Sequence, residues 1–139
     1  MRKIISLVAI VLVIATVIAG FFLAGSPQTA RIKQADERRV SDLQQIGYAL
    51  DSHYQSQKSL PDTLAGLNVD VKFLPTDPIT SAPYEYRKTN DTQYELCATF
   101  DTEAEKPRPG EYFGIDQSYN IRFHSAGYNC FTLSAPTVK

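Results

Sequence analysis

The chain is poor in the residues from which most catalytic sites are built. It has two histidines, His53 and His124, and neither has a cysteine or second histidine nearby at metal-ligand spacing. It has no glycine-rich phosphate loop and no Gly-x-Ser-x-Gly elbow. Carboxylate pairs such as Asp101 and Glu103 sit in charged loop sequence, where solvation is the simpler account. The sequence therefore predicts no enzyme, no cofactor and no metal. There is also no excess of basic charge. The net charge is -1, and removing Arg2 and Lys3 from the 14 basic residues leaves 12 against 15 acidic, or -3. That excludes a nucleic-acid footprint and selects no other partner. The 139 residues contain no internal repeat.

A different absence is more informative. No charged residue occurs from Ile4 to Leu23. Twenty residues at about 1.5 Å each span about 30 Å, the thickness of a bilayer core. A cleaved secretory signal usually has a shorter apolar region of about 7–15 residues. The expectation is a retained membrane anchor through residues 4–23. Basic residues flank it on both sides, with Arg2 and Lys3 before it and Arg31, Lys33, Arg38 and Arg39 after it, so charge alone does not orient the span.

Gly25-Ser26-Pro27 breaks or kinks the helical pattern, which resumes at Gln28. The stretch "RIKQADERR" has a thin apolar stripe and reads as a solvated stalk. Further along, Leu43, Ile46, Leu50 and Tyr54 form a stripe broad enough to bury, with Asp42, Gln45 and Gln57 left wet. The helix ends before Leu60-Pro61, and Leu64 to Leu67 reads as one further turn. Asp77-Pro78 lies in a proline-rich connector and opens a turn. "YEYRK" (84 to 88) and "QYELCATF" (93 to 100) alternate as strands around a "TND" hairpin turn, and "YNCFTL" (128 to 133) is a third strand. In the second strand, Tyr94, Leu96, Ala98 and Phe100 lie on one face; Gln93, Glu95, Cys97 and Thr99 lie on the other. The fold class is α+β: a long amino-terminal helix, transmembrane then amphipathic, on a small antiparallel sheet of three to four strands. Residues 1–25 form the anchor and 26–139 the second domain, with its helix at 28–58 and its sheet within 84–133.

Cys97 and Cys130 both fall in strand candidates. A disulfide between them requires an oxidising compartment; the competing reading is two buried free thiols in a cytosolic domain. The bridge is favoured because the polar part of the chain follows a short basic amino-terminal tip. The segment 101–127 is long for a hairpin link, and ordered loops of that length usually carry function. Its aromatics either pack beneath the loop or present a recognition surface. Tyr112, Phe113 and Tyr119 are the candidate partner-binding residues.

The helix sequence "RVSDLQQIGYALDSHY", then "SLPDTLAGL", then "DPITSAPYEY" resembles, in that order, the type IV pilin and type II secretion pseudopilin family. The last stretch resembles the Asp-Pro turn and Pro-Tyr-x-Tyr strand of the major pseudopilins. The likeness covers the layout of about residues 1–100. Beyond it only the cysteine pair matches, resembling the disulfide-closed carboxyl-terminal loop of many pilins. The resemblance implies a non-catalytic, membrane-anchored subunit or accessory protein of a type IV pilus or type II secretion-like apparatus. It further implies an extracytoplasmic pilin-like domain, protein partners within that assembly and self-association through the amino-terminal helix. Two family marks are missing. No glycine or alanine precedes the apolar run as the end of a leader; the sole Gly-Phe pair, Gly20-Phe21, lies near the far end of the run, and Gly25 stands where the helix glutamate would be. These departures favour the alternative of a stand-alone bitopic binding or sensor ectodomain outside any filament. Major pseudopilins bind calcium in the carboxyl-terminal loop. Asp70, Asp77 and Asp116 do not match that loop residue by residue, so no calcium site carries over.

Overall fold

The computed structural model describes residues 2–24, 27–67, 74–105 and 121–136. The chain divides into two compact units, Met1–Arg31 and Ile32–Lys139. In the first, helix α1 runs Arg2–Ala24. Its apolar side chains face outward in every direction: Ile4, Leu7, Ile10, Val11, Leu12, Val13, Ile14 and Val17 are all more than half exposed. Among the described residues no helix is long and apolar enough to cross a membrane. Side chains 2, 3, 9 and 21–24 of α1 lie outside the described residues, so the unbroken apolar length of Ile4–Leu23 remains a property of the sequence. Gly25 and Ser26, where the helical break was expected, also lie outside them.

Helix α2 spans Pro27–Gln57. A proline opens it, as suits a position whose N–H would be unpaired anyway. It ends one residue before Lys58, which adopts φ 56°, and the Lys58 N–H donates to the Tyr54 carbonyl at 2.8 Å. A left-handed residue that closes the last turn is a common helix stop. A single 3-10 turn, Leu64–Gly66, follows.

Three strands form an antiparallel meander in the order β1-β2-β3: β1 Glu85–Lys88, β2 Gln93–Phe100 and β3 Gly127–Ser134. The β1–β2 turn is held by Asn90, whose side-chain oxygen accepts from the N–H groups of Thr92 and Gln93. The period-two pattern sets the faces. Tyr94, Leu96, Ala98 and Phe100 join Phe131 and Leu133 in the core; Leu43, Ile46 and Leu50 of α2 close it from the helix side. Leu43 and Leu50 have no exposed surface. Gly47, one position after Ile46, is also buried, and a Cβ there would sit 3.5 Å from the Tyr94 hydroxyl oxygen. The α+β class, the long helix and the three-stranded sheet agree with the sequence reading.

One expectation is corrected here. Asp42 was expected to be wet, as Gln45 and Gln57 are, but it is 3 % exposed. The Tyr84 hydroxyl donates to its carboxylate at 2.9 Å and Arg38 Nε donates at 3.2 Å, so the charge is held rather than solvated.

Candidate functional site

Three polar arrangements stand out. The first lies on the α2 segment "RIKQADERR", expected to be a solvated stalk. Asp36 and Arg39 are buried instead. Arg39 Nε donates to Asp77 at 2.6 Å, and Nη1 donates to Asp36 at 2.7 Å and to Asp101 at 2.6 Å. One guanidinium thus ties the helix to the connector before β1 and to the end of β2. A planar, weakly hydrated fork with five donors suits burial among three separate carboxylates. Asp36 accepts further bonds from the Asp101 and Thr102 N–H groups and the Thr102 hydroxyl. Asp77 accepts from the Ile79 and Thr80 N–H groups, closing the turn that its Asp-Pro sequence announced.

The charges respond accordingly. Burial alone pushes the carboxyls of Asp36 and Asp77 upward, but hydrogen bonds outweigh it. Thr102, the Asp101 N–H and Arg39 hold Asp36 below the usual range, and Arg39 with the Thr80 and Ile79 N–H groups brings Asp77 to about 2. Arg39 is shifted up: burial works against its charge and its three carboxylate partners more than compensate. Among the described residues no buried side-chain polar atom of this node lacks a partner, so it reads as a structural clasp. The sequence assigned Asp101 to solvent, and its side chain is half exposed while still bound to Arg39.

The second arrangement brings together the two ends of the long segment 101–127. The His124 ring stacks on Phe100, with centroids 3.7 Å apart, and the Ala104 N–H donates to the His124 carbonyl at 3.0 Å. His124 is buried, and its role here is packing. His53 is a half-buried residue of α2. Among the described residues no group of three His, Cys, Asp or Glu is placed to hold a metal. Tyr112, Phe113 and Tyr119, and with them Asp70 and Asp116, lie outside the described residues.

The third is the disulfide. Cys97 and Cys130 are bonded and stand directly opposite each other across β2 and β3. Both lie on the sheet face away from α2, the face that alternation in β2 assigns to Cys97. Around them lie an Arg87–Glu95 pair at 2.8 Å and a hydrogen bond from the Tyr128 hydroxyl to Glu85 at 2.5 Å. That bond, chiefly, shifts the Tyr128 hydroxyl upward. Because β2 lies between β1 and β3, the Tyr128–Glu85 contact crosses over β2 beside Cys97.

No protein-family model, no curated protein and no solved structure matches the chain.

Proposed function

We propose that the chain is a non-catalytic membrane-anchored protein, with α1 in the bilayer and the sheet domain on the extracytoplasmic side. The observation that carries this reading is the α1 surface. Among the described side chains, large apolar residues point to all sides of the helix, and those from Ile10 to Ile14, with Ile4, Ile5, Leu7, Val8, Val17 and Ile18, are each more than half exposed. A helix that is apolar all round is stable only inside a large core or in lipid. The Cys97–Cys130 bridge supports the extracytoplasmic side, since disulfides persist in oxidising compartments. The layout of an apolar helix, an amphipathic helix and an antiparallel meander supports a pilin-like subunit or accessory protein of a type IV pilus or type II secretion-like assembly. In that role α1 meets other α1 helices, and Tyr112, Phe113 and Tyr119 supply the recognition surface of the domain. Alanine at these three positions should weaken partner capture and leave the melting temperature unchanged.

The test is membrane extraction followed by mass spectrometry of the amino terminus. Retention in the pellet under alkaline carbonate is expected, and release into the supernatant refutes the anchor. A new terminus within the apolar run supports filament entry. An intact Met1 favours the second reading, a stand-alone bitopic binding or sensor ectodomain.

A further inference from the structure

The geometry points to Cys130 as a thiol–disulfide exchange site: a small monothiol opens the bridge at the Cys130 sulfur, from one direction only, while the fold stays intact. The two sulfurs are not equivalent. Cys97 is 2 % exposed, whereas Cys130 is exposed. The cause lies in the strand order. Cys97 is on the central strand, and Glu85 of β1 is its direct cross-strand neighbour. The Tyr128 hydroxyl reaches over β2 to that same Glu85. Cys130 is on β3, which among the described residues is an outer strand of the sheet with no further strand beyond it.

Exchange requires the thiolate to approach in line with the bond it breaks, on the side opposite the leaving sulfur. The bridge joins directly opposed residues of neighbouring strands, so its axis runs from strand to strand. Attack on Cys130 therefore comes from beyond β3. Attack on Cys97 would come from β1, where the Glu85 carboxylate stands with the Tyr128 hydroxyl bound to it, and the carboxylate repels an incoming thiolate. The leaving-group preference runs the other way, because a buried thiolate is generally the poorer leaving group. Access decides, since a sulfur with almost no solvent contact offers the nucleophile no path.

The step balances. The thiolate forms a bond to Cys130 Sγ, the Sγ–Sγ bond breaks, and its electron pair leaves on Cys97 Sγ, which takes a proton from water. A second thiolate then attacks the added sulfur, releases Cys130 and departs as the oxidised disulfide of the small thiol. Two thiols lose two electrons and the bridge gains two. The strands keep their register because β2 and β3 also share a ladder from Gln93–Ser134 to Phe100–Gly127 and the apolar face beneath it.

The experiment treats the full chain in detergent micelles with glutathione, quenches rapidly in acid and maps the mixed disulfides by peptide mass spectrometry. The expected adduct on Cys130 exceeds that on Cys97 by about tenfold or more, with the near-ultraviolet circular dichroism unchanged. Comparable adducts, an excess on Cys97, adduct only in denaturant, or adduct accompanied by loss of the near-ultraviolet signal would each overturn the proposal. Tyr128→Phe keeps the ring and frees Glu85, and Glu85→Gln removes the repelling charge. Each should raise the share of adduct on Cys97 several-fold, and an unchanged ratio in both variants refutes the shielding.

Discussion

Replacing Arg39 by methionine removes the cation of the clasp and keeps much of its apolar stem, which isolates the charge from the packing. The cost follows from what is left behind. The Asp101 side chain is 51 % exposed, so water takes over from Arg39 and its share is small. Asp36 is 4 % exposed and Asp77 12 %. Both become buried carboxylates without a counter-charge, a situation that usually costs about 3–5 kcal/mol. Both still accept backbone N–H bonds, from residues 101 and 102 and from residues 79 and 80. That places the expected loss near the lower end, at about 3 kcal/mol. The loss should also depend on pH. In the intact protein the folded-state carboxyl of Asp77 sits below its ordinary value of 3.8, so the stabilisation is complete above that value. In Arg39→Met burial is no longer opposed by a cation, and protonating the orphaned carboxylates relieves the strain of their charge. The deficit relative to the native chain should therefore shrink as the pH falls toward 4, roughly the ordinary carboxyl range. The assay is denaturant unfolding of the full chain in micelles at several pH values. It is followed by near-ultraviolet circular dichroism, since the chain has eight tyrosines and no tryptophan. A loss below about 1 kcal/mol, the worth of a surface pair, or one that is constant between pH 7 and 4, would refute the reasoning.

Asp77→Asn should flatten the acid limb of the native stability profile. The native carboxyl drops from 3.8 to about 2, so its stabilisation is present above 3.8 and lost as the pH falls through about 2. An unchanged acid limb in pH-titrated unfolding would show that Asp77 does not carry it. Leu50→Ala should cost about 2–5 kcal/mol in the same assay, because Leu50 is fully buried between α2 and the sheet. Gly47→Ala should stabilise by about 0.5–1 kcal/mol: the new methyl meets Tyr94 at ordinary contact distance and the helix interior loses its most flexible residue. A loss of stability there would mean that Tyr94 has no room to give. Lys58→Gly should gain about 1 kcal/mol by relieving a left-handed backbone at φ 56°, read as a rise in the unfolding midpoint.

Much of the fold was legible because it is written in short-range periodicity. Leu43, Ile46 and Leu50 repeat at helical spacing, residues 93–100 alternate, and Asp77-Pro78 announces its own turn. Alternation even assigned Cys97 to the face opposite the core. What was illegible depends on distant partners. Arg39 meets Asp77 and Asp101, which lie 38 and 62 positions away, and Asp42 meets Tyr84, 42 positions away. Locally each of these charges sits in polar sequence, and a polar string carries no mark that distinguishes a solvated face from one that folding will cover. The Tyr128–Glu85 contact is hidden for the same reason: it joins strands that are neighbours of neither each other nor a common turn. Tyr112, Phe113 and Tyr119 belong to the segment outside the described residues, so their pattern remains a reading of the sequence.

The Arg39 clasp has a kinetic consequence. Its three carboxylates arrive from one helical turn, from a connector and from the far end of a strand. The last two close large loops before any bond forms, and loop closure of that kind is entropically costly. Such a junction assembles late, after β2 has paired and settled on α2. Interactions absent at the folding barrier change the rate of leaving the native state far more than the rate of reaching it. Arg39 therefore acts as a brake on unfolding: chains that lose it should refold at nearly the native speed and come apart faster.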